Sequence, residues 1–93
     1  MPPITPITHH ATAAAIEDFI RGQAAVTDDD LNFSRTVDLF DTGYVDSLGL
    51  VSLTSHIERT FNVAFNEEDL FHPDFATIDG MAAFIIARLR HRG

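Results

Sequence analysis

Residues 39–50 read Leu-Phe-Asp-Thr-Gly-Tyr-Val-Asp-Ser-Leu-Gly-Leu, and this stretch decides both the fold and the chemistry. Its first half is a turn, because Asp41, Thr42 and Gly43 favour local backbone bonding and Gly43 lets the chain bend sharply. Its second half starts a helix. Asp46 is a good N-cap, which leaves Ser47 in the first turn with its hydroxyl outward. There the hydroxyl lies beside unpaired backbone N–H groups and the positive end of the helix dipole. Such a position suits a phosphate ester, since its oxygens find donors ready-made. Gly49 keeps bulk away from the hydroxyl at some cost in helix propensity.

Downstream, the helix from Asp46-Ser47 is expected to run to about Phe61. At roughly 100° per residue, Leu50, Leu53, Ile57 and Phe61 fall within a narrow arc and form its core face. Ser47, Leu48, Val51, Ser55 and Glu58 lie on an adjacent flank expected to be exposed. Val63 and Phe65 continue into a connection, and Asn66 followed by Glu67, Glu68 and Asp69 is a capped, acid-rich start for a short helix. Thr77 caps the last helix, whose buried stripe is Ile78, Met81, Ala82, Ile85 and Leu89. Arg88, Arg90, His91 and Arg92 complement its carbonyl end.

Upstream, a first helix is expected from about Thr12 to Gln23, with Ile16, Phe19, Ile20 and Gln23 on one side and alanines between. Between it and the second helix lies a loop of roughly 22 residues, about Ala24 to Val45, longer than compact domains usually carry. Its Leu31, Phe33, Val37, Leu39 and Phe40 predict that it packs down on the core. Met1 to His10 holds three of the four prolines and no apolar period, and is expected to be a flexible leader ahead of a single domain over 11–93. No segment alternates with period two. The expected fold is all-α, a small four-helix bundle of three main helices and one short one, with a long loop between helices 1 and 2.

Composition narrows the function. A chain of 93 residues with 45% hydrophobic residues supports one core, and its formal charge is −8. Three of the six cations crowd the C-terminus as Arg88, Arg90 and Arg92, so the rest of the chain is more acidic still. Phosphate backbones and anionic lipid would repel such a body, which argues against nucleic-acid or membrane-surface binding. The absence of cysteine excludes a disulfide scaffold, a Cys-based zinc site and a thiol nucleophile. No apolar run approaches the ~20 residues of a membrane span, and no secretory signal is visible. A cytoplasmic monomer without membrane insertion is the expectation.

The segment around Asp46, Ser47 and Leu48 resembles the attachment site of acyl and peptidyl carrier proteins, the phosphopantetheine-binding family. The resemblance spans about Thr12 to Leu89. It takes in the long first loop, the Phe61 to Phe65 exit (Phe-Asn-Val-Ala-Phe), the acidic short helix and the Phe75 to Ile78 lead-in to the last helix (Phe-Ala-Thr-Ile). Leu39 to Ser47 is especially similar to D-alanyl carrier proteins and related free-standing aminoacyl carriers. The resemblance implies that Ser47 is esterified by 4′-phosphopantetheine, donated from coenzyme A by a phosphopantetheinyl transferase, with Asp46 helping the transferase engage. The arm's thiol then holds an acyl or aminoacyl group as a thioester. It also implies partners: an acyl- or amino-acid-activating ligase or adenylation enzyme, and a downstream acyltransferase, condensation enzyme or ketosynthase. The chain itself would catalyse nothing.

Two departures qualify the resemblance. Fatty-acid carriers place several acids on the second helix, whereas here Gly49, Ser52, Ser55 and Arg59 face outward and only Glu58 is acidic after Asp46. The partner surface, carried by Leu48, Val51, Ser55 and Glu58, is therefore expected to be more apolar and less electrostatic. The Gly-Gly-x-Ser spelling of modular peptide synthetases is absent, which favours a stand-alone carrier in non-ribosomal peptide or polyketide-type metabolism. The alternatives are a D-alanyl carrier for cell-envelope modification and an unmodified acidic adaptor binding through Leu48 and Val51.

Other constellations are weaker. A hydrolytic Ser47 lacks the Gly-x-Ser-x-Gly elbow, and His56 stands nine residues along the helix, roughly 13 Å away. A calcium loop from Asp28 would need glycine where Phe33 stands and glutamate where Leu39 stands, so Asp28 to Asp30 reads as a solvated turn. No metal site is expected. His72, Pro73 and Asp74 read as a surface loop. Phe61, Phe65 and Phe84 are expected to be ordinary core rather than the lining of a cargo cavity.

Overall fold

A computed structural model describes residues 8–90, so the expected leader lies outside the described residues except for its last three positions. Helix α1 spans His9–Gln23, α2 Ser47–Phe61, the short α3 Glu67–Leu70, and α4 Ile78–Arg90, with a 3-10 turn at Pro73–Ala76 just before α4. Among the described residues all regular secondary structure is helical and no strand forms. None of these helices is long and apolar enough to cross a membrane.

The core is the product of the expected faces. Ile16 and Ile20 of α1, Leu53 and Ile57 of α2, and Ile78, Met81, Ala82 and Ile85 of α4 are all buried, joined by Leu39 and Phe75 from the connections. Leu50, Phe61 and Leu89 pack partly against them. Helix α1 lies chiefly along α4 and more lightly along α2. Helix α1 also buries Thr12 and Ala13, and the Thr12 hydroxyl has no hydrogen-bond partner there.

Helix α1 starts earlier than apolar spacing predicts. Thr8 supplies the cap, its Oγ1 accepting from Ala11 N at 3.0 Å, so His9 and His10 belong to the first turn. Both histidines then find partners on other segments. His9 Nε2 lies 3.2 Å from Asp79 Oδ1 at the start of α4, and Arg35 Nη1 donates to His10 Nδ1 at 3.1 Å.

The segment at His72 to Ala76 also differs from a plain surface loop. Asp74 N donates to His72 Nδ1 at 3.1 Å, Pro73 opens the 3-10 turn, and Phe75 is drawn inside. Phe75 meets Phe65 edge-on at 5.3 Å and Phe84 at 5.1 Å, a packed aromatic group and so ordinary core. The turn sits so close on α4 that a Cβ at Gly80 would collide with the Asp74 backbone. Thr77 Oγ1 accepts from Gly80 N at 2.9 Å, as expected of the α4 cap.

Two arginine–carboxylate groups tie elements together. Arg88, read from sequence as a partner for the α4 dipole, instead reaches Asp69 Oδ1 at 2.9 Å and the Ala64 carbonyl at 3.0 Å. His91 and Arg92 lie outside the described residues. Glu17 of α1 receives Arg35 at 3.0 Å and Arg21 at 3.1 Å. The Arg35 hydrogen bond is the main cause that holds the Glu17 carboxyl below its ordinary pKa, and the Arg88 hydrogen bond does the same for Asp69. Each carboxyl binds its proton more weakly in the folded chain than in the unfolded one. The pairs therefore contribute their full stability above the ordinary carboxylate range and lose it as pH falls through the lowered values. The urea midpoint should hold from about pH 7 to about pH 5 and fall below about pH 4.5. Glu17→Gln and Asp69→Asn should each cost about 1 kcal/mol at neutral pH and flatten that acid limb.

Candidate functional site

The long loop reaches α2 through a tightly bonded turn. Asp38 Oδ1 accepts from Phe40 N and Asp41 N, both at 2.9 Å, and the Asp38 carbonyl accepts from the Thr42 hydroxyl at 2.7 Å. Gly43 follows at φ 83°, a backbone region that disfavours any side chain. Leu39 is fully buried beneath this turn. Its N–H donates to the Ala76 carbonyl at 2.8 Å, and its own carbonyl accepts from Val45 N at 3.1 Å. Asp79 N donates to the Arg35 carbonyl at 2.9 Å. The loop is therefore bonded to Ala76 just before α4 and to Asp79 in its first turn.

Of the five apolar loop residues expected to pack down, Phe33 and Leu39 are buried and Val37 is half-buried. Leu31 does not pack: it is 94% exposed, and Phe40 is 39% exposed. Tyr44 and Val45 bury surface instead, Tyr44 by meeting Phe33 edge-on and Val45 by going almost wholly inside. Leu31 follows Asp28 and Asp29, which stay at the surface, and Asp30, which is half-buried against Tyr44.

At the helix start the expected capping geometry forms. Asp46 is extended (φ −104°, ψ −175°), and its Oδ1 accepts from Gly49 N at 2.7 Å. Its carbonyl takes the first helical bond, from Leu50 N at 2.8 Å. A Cβ at Gly49 would press on that cap oxygen at 3.1 Å, so glycine leaves the carboxylate room. Gln23, at the end of α1, donates to the Gly49 carbonyl at 3.4 Å. Ser47 is the first helical residue and is exposed, at the positive end of α2.

The flank along α2 is partly as expected. Leu48 is 81% exposed, Val51 is 57% exposed, and Ser55 is exposed. Glu58 is not free for that surface: it is half-buried, and its Oε2 accepts from Phe65 N at 3.0 Å. It stands near the edge of the core arc, where the connection after α2 turns back and presents an unpaired N–H. The outward stripe instead runs through Leu48, Ser52, Ser55 and Arg59, all exposed and at matching helical spacing. His56 turns away from this stripe and stacks on Phe19 of α1 at 4.2 Å, where it serves packing. In α3, Glu67 and Glu68 are exposed, while Asp69 closes a capping box with Asn66 as well as pairing with Arg88.

Sequence reasoning missed two contacts around the site. One is the Gln23 bond to Gly49. The other joins Tyr44 to Asp30, the phenol donating to Asp30 Oδ2 at 2.8 Å. Both connect residues far apart in sequence, and neither leaves a periodic signal. An open groove lined by Thr8, His9, Ala83, Ile86, Ala87 and Arg90 lies between α1 and α4 and takes in none of the residues around Ser47. Among the described residues no group of three or more histidines and acids converges as a metal site.

A family model described as the phosphopantetheine attachment site matches this chain over residues 10–85. No curated protein and no solved structure matches it.

The Asp46 cap has a measurable consequence for stability. Asp46→Ala should lower the unfolding free energy by about 1 kcal/mol in urea denaturation, because Gly49 N loses its partner. Asp46→Asn keeps an oxygen acceptor and should retain most of that stability.

Proposed function

Because the chain belongs to the phosphopantetheine attachment-site family, we propose that Ser47 is the serine that carries the arm. The family attaches 4′-phosphopantetheine covalently to a serine, and the chain is a carrier of that group. The observation that supports Ser47 is its place: exposed, first in α2, directly after the capping Asp46. A phosphoester there adds negative charge at a helix N-terminus, where the dipole favours it. Asp46 has a second role in this reading, as a feature that the phosphopantetheinyl transferase engages.

The arm carries an acyl or aminoacyl group as a thioester between biosynthetic enzymes, and the protein acts by tethering rather than by catalysis. Tethering raises the effective concentration of a group that would otherwise be dilute. An activating ligase or adenylation enzyme loads the thiol, and an acyltransferase, condensation enzyme or ketosynthase takes the group onward. An amino acid or small acyl unit is the favoured cargo, on the spelling of Leu39 to Ser47. The same spelling keeps D-alanine delivery to the cell envelope as the second reading.

Partners meet the flank of Leu48, Val51 and Ser55. With Glu58 engaged by Phe65, this flank offers apolar surface and little negative charge. Removing apolar contact there should matter more than screening charge. Leu48→Ala and Val51→Ala should each slow loading by the cognate activating enzyme by roughly fivefold or more. Raising ionic strength from about 0.05 to about 0.3 M should change the parent's loading rate by less than about twofold. A loading rate that collapses with salt would show that charge, not apolar contact, carries the interface.

The direct test of attachment is intact mass after incubation with coenzyme A, magnesium and a broad-specificity phosphopantetheinyl transferase. The parent should gain one phosphopantetheine and Ser47→Ala none, with Asp46→Asn modified more slowly although its cap is kept. No gain by a folded parent with several transferases would favour the unmodified adaptor.

A further inference from the structure

Tyr44 stands three residues before Ser47, and its side chain is held from two sides. Its hydroxyl donates to Asp30 Oδ2 at 2.8 Å, while Asp30 Oδ1 accepts from Asn32 N at 3.0 Å. Its ring meets Phe33 edge-on with centroids 5.0 Å apart. Phe33 lies under the Arg21 guanidinium at 4.8 Å, and Arg21 in turn pairs with Glu17 of α1. A line of contacts thus runs from α1 through Arg21 and Phe33 to the residue that precedes Val45 and the Asp46 cap.

Little else fastens this part of the loop. Leu31, Asn32 and Ser34 are exposed, and Phe33 is the buried residue between them. Without the tie to Tyr44, residues 27–32 would have no side-chain bond to another part of the fold, and their nearest anchors would be Val26 on one side and Phe33 on the other. The chain leading to Ser47 would then lose its one side-chain bond to that stretch. The Asp30 hydrogen bond also raises the Tyr44 phenol above its ordinary pKa.

We infer that Tyr44 and Asp30 are positioning residues for attachment at Ser47. The pair holds the end of the loop in the shape that a transferase grasps together with Asp46, Ser47 and Leu48. An enzyme docking on an ordered loop pays no entropy to order it, so releasing the clamp weakens docking and leaves the reaction within the docked complex unchanged. This inference rests on Ser47 being the attached serine.

The test is steady-state kinetics of the full chain with coenzyme A, magnesium and a broad-specificity phosphopantetheinyl transferase, read by intact mass. Tyr44→Phe and Asp30→Ala should each raise the KM for the carrier roughly three- to tenfold, with kcat within about twofold of the parent. Asp30→Asn keeps an oxygen for the phenol and should restore most of the parent's KM. The double variant Tyr44→Phe/Asp30→Ala should be no worse than the poorer single one, because both remove the same bond. Thermal melting of each variant accompanies the kinetics. A parent modified on Ser47 with Tyr44→Phe at the parent's KM would overturn this inference alone. So would effects that add in the double variant, or a defect in kcat that follows the melting temperature. A folded parent that accepts no phosphopantetheine would overturn the attachment reading, and this one with it.

Discussion

Leu39 is the point at which the long connection between α1 and α2 becomes part of the bundle. Its side chain is wholly buried, its N–H is bonded to Ala76 ahead of α4, and its carbonyl is bonded to Val45 ahead of α2. One residue thereby links the approach to two helices. A buried leucine contributes about 1.5–3 kcal/mol, whereas fixing each backbone residue costs ~1–2 kcal/mol. Leu39 alone cannot order a connection of this length. The Asp38 turn, the Arg35 bonds to α1 and α4, and the Phe33–Tyr44 pair distribute the task along it. Where these anchors end, at Val45, the Asp46 cap begins.

Acidic residues account for most of the chain's charge, and the fold divides them into two groups. Asp38 and Asp46 cap a turn and a helix, Asp69 accepts from Asn66 N in a capping box, Glu17 gathers two arginines, Asp30 holds Tyr44, and Glu58 closes the connection after α2. Asp79 meets His9, and others, such as Glu67 and Glu68, stand in solvent. A net charge of −8 therefore says little about any one surface. Along the outward side of α2, beyond the cap, the available side chains are Leu48, Val51, serines and Arg59. Next to Ser47, α2 therefore presents Leu48 and Val51 as exposed apolar surface.

Local signals carried the sequence reading furthest. The spans of α2 and α4, the caps at Asp46, Asn66 and Thr77, the capped short helix and the core faces were all legible, because each depends on residues within about four positions of one another. The motif at Asp46 to Leu48 was legible for the same reason. The misreadings have a common cause in contacts that span the chain. Helix α1 gains its first turn where His9 meets Asp79 and His10 meets Arg35. Phe75 goes inside, against Phe65 and Phe84, while His72 and Pro73 just before it stay at the surface as read. Leu31, as apolar as Leu39, stays outside because the turn of Asp28 to Asn32 sends Asp30 to Tyr44 and Phe33, two residues on, to the core.

Periodicity and capping chemistry determine which residues become helix, which face each helix buries, and that Ser47 opens one. These are short-range matters of backbone geometry and transfer from water. They cannot tell which of several acids is spent on structure, since Glu58 and Asp69 look as free in sequence as Glu67 and Glu68. Only packing assigns Glu58 to Phe65 N and Asp69 to Arg88, because the partners are brought within hydrogen-bond distance by helices folding against one another. Packing likewise brings the Tyr44 hydroxyl to Asp30, fourteen residues earlier in the chain.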